Sequence, residues 1–313
     1  SAFKAKQDPK KMEFTSVPSD RFYDDFDLEF SFIEQSKETP NQFYYSLTAT
    51  SAQVCQPDIY SARMKSCDKG DKTKYERLKA YLKKVVAQKE AAIKLSQVLY
   101  FAGQGYNSDC GLARIDEKNS YYEMFPNLMG QAWSLTYQNH ADYVYSKYPL
   151  MSQMQRKDMA LAVLHHHGYP DTEYLDDNPT PQNAEQNLEA VKRFFRAKIN
   201  TAVSRGKDTT ETINYYKDGY DVPEHWFSHE ALFGKEISEK DSINAVQMDL
   251  HLTDLGEYKP NARVVILDAC YNGAFCHDEY IAEEYIFEDG DCVVTIANSV
   301  NSLQDKWCDR NIG

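Results

Sequence analysis

Four short apolar runs constrain this chain more than anything else in it: QVLYFA at 97–102, MALAVL at 159–164, ARVVIL at 262–267 and CVVTIA at 292–297. Runs of that length with almost no polar interruption read as strands buried in a sheet rather than as amphipathic surface elements. Long stretches of helical pattern separate them. Strands that alternate with helices point to an α/β fold class with a mostly parallel central sheet flanked by helices.

The intervening segments support that pattern. KTKYERLKAYLKKVVAQKEAAIKL, from Lys72 to Leu95, places Tyr75, Leu78, Leu82, Val85, Val86 and Ile93 on one side at helical spacing with lysines opposite, which predicts a helix packed through that apolar side. Residues 1–40 are polar and acidic with aromatic punctuation, an extended lead-in, and FYYSLTAT at 43–50 has strand composition. The stretch 120–150, opening with YYEMFPNLMGQAWSL, is aromatic-rich and partly helical. Residues 179–206 start with Pro and Thr and carry Leu188, Val191, Phe194, Phe195 and Ile199 on one helical face. TTETINYYKDGYDVPEHWFSHEALFG reads as an aromatic loop, and EKDSINAVQMDLHLTDL as a helix. CHDEYIAEEYIFEDG reads as an acidic helix ended by glycine. The organisation expected is an N-terminal part at 1–95 and a main domain at 96–313 with an insertion at about 200–260.

The balance of 48 acids against 35 bases, a net charge of −13, excludes nucleic acid and anionic surfaces as general partners and favours cationic ones. No stretch approaches the roughly 20 apolar residues of a membrane span. Gly103-Gln104-Gly105 lacks the further glycine and the Lys-Ser/Thr pair of a phosphate loop and reads as a turn. Seven cysteines, an odd number, leave at least one thiol without an internal partner, and Cys55 and Cys67 flank a short polar loop that an oxidising compartment would allow them to bridge.

Chemistry concentrates where two of the apolar runs end. His165-His166-His167-Gly168 closes one, and Asp268-Ala269-Cys270 closes another before the small and polar turn Tyr271-Asn272-Gly273-Ala274. In parallel α/β sheets, reacting groups sit just beyond the carboxyl ends of the strands. If both strands run in one sheet, an imidazole and a thiol emerge at the same edge, the parts of a Cys/His dyad. His167 is the histidine of choice because glycine follows it, with His166 second. Cys270 as plain core filler is the alternative, and Cys276 reads as structural or a disulfide partner. His225 and His229, at i and i+4, raise a metal-ligand reading, but HExxH is absent and Pro223 with Trp226-Phe227 reads as a packed loop.

HHHG after an apolar strand, DACYNGAF after another, and TIANSVNSLQDKW after a third together resemble the caspase-like cysteine peptidases, with the gingipain type nearest. The resemblance spans roughly residues 95 to 307. It implies a caspase-like sandwich and a cysteine endopeptidase in which Cys270 is the nucleophile, His167 the acid and base, and the amides of Gly168 and Cys270 the oxyanion hole. The residue two before the nucleophile, Asp268, would line the pocket for a Lys or Arg side chain, and Asn298, Ser299 and Trp307 would contact substrate. No cofactor is required for that chemistry, while structural calcium is known in the group. The partners implied are polypeptide substrates, cationic ones in particular, for a bacterial protein at the periplasm, cell surface or medium with its signal peptide removed. Transpeptidation or sortase-like acyl transfer on the same fold, and a non-catalytic caspase-like scaffold, are the alternatives.

Overall fold

The computed structural model describes residues 2–8, 13–18, 20–37, 40, 42–51, 57–92, 94–102, 119–128, 131–132, 147–175, 192–193, 195–196, 198–200, 202–204, 206–220 and 222–302. In chain order the strands are β1 Ala2–Asp8, β2 Glu13–Pro18, β3 Phe30–Gln35, β4 Phe43–Leu47, β5 Gln97–Ala102, β6 Gln131–Ala132, β7 Met159–His165, β8 His167–Tyr169, β9 Thr172–Tyr174, β10 Leu250–His251, β11 Val264–Asp268 and β12 Val294–Ala297. The helices are α1 Arg21–Asp24, α2 Lys74–Glu90, α3 Lys147–Met154, α4 Thr209–Tyr220, α5 His229–Phe233, α6 Lys235–Met248, α7 Leu252–Tyr258 and α8 Ile281–Phe287.

The central sheet has the order β12-β11-β7-β5-β6, and every neighbouring pair is parallel. All four apolar runs are its strands. Their side chains alternate between two cores, as a strand period of two requires. Leu99, Phe101, Ala162, Leu164, Val265 and Leu267 meet Leu150, Met151, Tyr285 and Ile281 on one face. Val98, Tyr100, Leu161, Val163 and Ile266 meet Tyr121 on the other. Cover on both sides explains why the runs of β5, β7 and β11 are apolar without alternation, whereas β12, at the sheet edge, exposes Val294 and Ile296.

At the end of β7 the chain bends at His166 and folds back as the antiparallel pair β8 and β9, with β10 adding on β9. Strands β1–β4, in a region where residues 1–40 were expected to be a loose lead-in and 43–50 a strand, form a separate four-stranded sheet of order β2-β1-β4-β3. Residues 209–220, expected as loop, are helix α4, where Tyr216 stacks on Phe195 at 4.6 Å. That ring contact with the buried Phe195 favours the helix over the weak propensity of its Thr, Asn and Gly.

Helix α2 starts where its sequence says it should: Thr73 accepts from Glu76 N–H and Glu76 reaches back to Thr73 N–H, a capping box. Its orientation meets the expectation only in part, since of the apolar residues expected inside Leu78 packs against the core. Tyr75, Leu82 and Val86 face solvent, and the inward residue is Arg77, 3% exposed. The Arg77 guanidinium donates to Glu284 Oε1 at 2.9 Å and to the Cys67 carbonyl at 3.1 Å, Tyr81 donates to the Val293 carbonyl at 2.9 Å, and Lys84 to the Glu288 carbonyl at 3.0 Å. The acidic run at 278–289 is correspondingly not a solvated face, because Glu283 and Glu284 are 1% and 0% exposed. Buried acids need paired cations, and that demand decides which side of α2 turns in.

Candidate functional site

The sheet register sets the site. Asp268 pairs with His165 as the last rung between β11 and β7, so their side chains lie next to each other on one face, and His166 N–H donates to the Asp268 carbonyl at 3.4 Å. His165 Nδ1 is 2.9 Å from Asp268 Oδ2, with both residues buried. Strand alternation sends the next residue to the opposite face. There His166 Nδ1 is 2.9 Å from the His167 carbonyl and Nε2 is 3.2 Å from Glu173 Oε2, with the buried Tyr285 beside Glu173. Neither of these two histidines reaches the surface. His167 does: it is exposed, at the first position of β8.

Cys270 lies two residues beyond β11, half-buried, with a free thiol. The hairpin bearing His167 is packed directly onto it. A Cβ added at Gly168 would fall 2.6 Å from the Cys270 carbonyl oxygen and 2.8 Å from both side-chain polar atoms of Asn272, so only glycine fits there. Asn272, fully buried, fixes the two pieces together by donating from Nδ2 to the carbonyls of Tyr169 at 2.7 Å and Thr172 at 3.2 Å. Between them Tyr271 takes a left-handed conformation with φ 60°, a sparsely populated state for an aromatic residue that turns the chain sharply after the thiol. Its ring meets Tyr169 edge-on at 6.3 Å.

The segment after β12 forms a third side. Tyr271 N–H donates to the Val300 carbonyl at 3.0 Å, Gly273 N–H to the Asn298 carbonyl at 2.9 Å, Cys270 Sγ to the Ser302 carbonyl at 3.6 Å, and Ser302 Oγ to Asp268 Oδ1 at 3.0 Å. The structure thus brings His167, Gly168, Asp268, Cys270, Asn298 and Ser299 to one rim of the sheet. Trp307 lies outside the described residues. Asn298 is buried, with Nδ2 3.5 Å from the Ala269 carbonyl, so it supports the cysteine turn from beneath instead of facing a ligand.

Asp268 needs correction. The sequence leads one to expect an unpaired pocket carboxylate, but Asp268 is 5% exposed and already bound by His165 and Ser302. Burial raises its carboxyl, yet His165, Ser302 and the charge of His166 outweigh that and hold it below the ordinary carboxylate range. The Cys270 thiol is shifted the other way: burial pushes it up and the Asp268 charge adds to this, against the hydrogen bond to Ser302 and the charge of Lys198. A thiol so placed stays protonated at neutral pH and needs a base at the moment of reaction.

Cys67 carries a free thiol 3.2 Å from Arg77, and Cys55, its expected bridging partner, lies outside the described residues. Cys276 is exposed and free in the turn before α8, not at a helix start. Among the described residues one group brings metal-ligand types together, Cys67, Glu279 and Glu284, with ligand atoms within 4.8 Å of one another. Calcium takes six to eight oxygen ligands. Here a thiol stands in place of one, and Arg77 and Lys69 hold the two oxygens of Glu284 at 2.9 and 2.5 Å, so the group does not fit that ion.

Sequence reasoning missed His165, Asn272, Glu173 and Ser302 as parts of the site. The histidine triplet carried a usable signal, since alternation must bury one face of it. Ser302 and Asn272 are defined by contacts that no local spacing encodes. Comparison of the chain with protein-family models, with curated proteins and with solved structures finds no match to any of them.

Proposed function

We propose that this protein is a cysteine endopeptidase with a caspase-like sandwich, using Cys270 as nucleophile and His167 as acid and base. The observation that carries the reading is the packing of Gly168 on the Cys270 carbonyl, which sets the strand end bearing the exposed His167 against the backbone of the residue that carries the half-buried thiol, at one sheet rim. In this reading His167 takes the Sγ proton as sulfur attacks the peptide carbonyl, and the amides of Gly168 and Cys270 hold the oxyanion. The amine leaves with the proton from His167. A water deprotonated by His167 then hydrolyses the thioester and frees Cys270. His165, Asp268 and Ser302 act from below by fixing the turn that presents the thiol. A basic residue before the scissile bond is the favoured substrate feature, supported by the net charge of −13.

Titration with Lys- and Arg-chloromethyl ketones followed by peptide mapping tests this. Alkylation of Cys270 alone, abolished in Cys270→Ala and reduced by at least about a hundredfold in His167→Ala, is expected from the size of general-base effects. Inertness of Cys270 in the unaltered chain defeats the reading and favours a scaffold. A positional peptide library on the unaltered chain and on Asp268→Ala then isolates the basic preference: retention of it in the variant removes Asp268 from substrate selection.

A further inference from the structure

Helix α2 wears its apolar stripe on the outside. Tyr75, Leu82 and Val86 are 72%, 47% and 54% exposed, and with half-buried Leu78 they form one ridge. The ridge itself lines a shallow, open surface hollow of about 660 Å³, with Lys79, Lys83 and Glu90 of the same helix at its sides. A row at 75, 78, 82 and 86 has the three-and-four spacing by which one helix receives another. At 1.5 Å per residue it is about 16 Å long, roughly three turns.

Charge says what kind of helix would cover it. The inward cations of α2 are satisfied: Arg77 by Glu284, and Lys84 by the Glu288 carbonyl. Lys79 and Lys83 make no ion pair with any described residue. In a chain with 48 acids against 35 bases, this leaves a local surplus of positive charge beside exposed hydrocarbon. A second copy laid on the same face would bring lysine against lysine, and an anionic lipid surface is held by clusters of about four to eight basic residues, whereas this face offers Lys79 and Lys83 beside Glu90.

We propose that the outer face of α2 is a docking surface for an acidic amphipathic helix of a partner protein. The partner's apolar side chains would pack on Tyr75, Leu78, Leu82 and Val86, and its carboxylates would pair with Lys79 and Lys83. Because the inner face is locked onto α8, the surface is presented preformed, which lowers the ordering cost of binding.

The test uses the full chain and a fluorescein-labelled synthetic helix with Leu at the heptad a and d positions and Glu elsewhere, followed by anisotropy. Saturable binding that weakens with salt is expected. Leu82→Glu combined with Val86→Glu should weaken it by at least about tenfold, the effect typical of removing central interface anchors. Lys79→Glu with Lys83→Glu should do the same for the Glu peptide and gain affinity for the counterpart with Lys in place of Glu. Unchanged circular dichroism and thermal midpoint are expected, since all four side chains are superficial. No saturable binding, or equal binding of the Glu and Lys peptides to the unaltered chain, overturns the proposal. So does a concentration-dependent dimer, or sedimentation with phosphatidylserine vesicles, that Leu82→Glu abolishes, because the face then belongs to a second copy or to a lipid surface.

Discussion

Gly168 has the least freedom to change of any residue at the site. A methyl group there must displace the Cys270 carbonyl or the buried Asn272 side chain, both closer than 3 Å to where it would sit. Gly168→Ala is therefore expected to cost about 1–3 kcal/mol in urea unfolding, the usual range for overpacking, and to separate His167 from Cys270. Loss of chloromethyl ketone labelling with the fold retained is the outcome to look for, and full labelling would show that the contact positions nothing. Cys270 itself makes a second prediction. Its thiol is pushed up by burial, so its iodoacetamide reaction should be slow at pH 7 and should rise with a midpoint above the ordinary thiol value of about 8.5. His167→Ala should leave that profile in place while abolishing labelling by the peptidyl reagent. A midpoint near neutrality that depends on His167 would mean instead that thiolate and imidazolium exist before substrate arrives.

Between elements, the contact of α2 with α8 shows how buried charge can overrule hydrophobic patterning. An extended stretch leads into it, and its alternate residues all reach toward the same region: Arg63 over the Phe275 ring at 4.3 Å, Lys65 to the His277 carbonyl, Cys67 N–H to Glu283 at 3.1 Å and Lys69 to Glu284 at 2.5 Å. Three side chains and one main-chain N–H thus tie this stretch to the turn before α8 and to α8 itself. It ends on an acid held in an unusual state. Burial pushes the Glu283 carboxyl up to about 7, opposed by Arg77 and reinforced by Glu284, from an ordinary value of 4.5. Between those two pH values the folded chain keeps a proton that the unfolded chain has released. The contribution of Glu283 to stability therefore falls as pH rises from about 4.5 to about 7, and is constant outside that window. Glu283→Gln should remove this component. Urea midpoints at pH 5 and pH 8 should move in the variant's favour at the higher pH relative to the unaltered chain. Parallel pH dependence in the two proteins would exclude Glu283 as the titrating group.

For the molecule as a whole, legibility followed how local the determining physics was. β5, β7 and β11 were readable because burial on both faces of a parallel sheet leaves an unbroken apolar run, and β12 was readable from the same kind of run although its Val294 and Ile296 are exposed. Cys270 and His167 were readable because both close such runs. The facing of α2 was not, since Arg77 is drawn inward by Glu284, a residue far along the chain that no periodicity within the helix reveals. Asp268 was found, but its partner His165 was not, because that pairing depends on the register between β7 and β11. The same interlock bears on where the chain can be divided. A boundary near residue 95 places α2 in an N-terminal part, yet Arg77 and Lys69 neutralise acids that are completely or almost completely buried in α8. Removing one partner of a buried ion pair typically costs about 3–5 kcal/mol, and deletion of residues 1–90 removes both cations together with Tyr81, which caps the Val293 carbonyl. A chain starting at residue 57 is expected to unfold cooperatively and to keep Cys270 labelling, while one starting at residue 91 should lose its cooperative transition in calorimetry. Cooperative unfolding of the shorter chain at an unchanged midpoint would place the boundary near 95 after all, and would reduce the contact of α2 with α8 to simple docking between independent units.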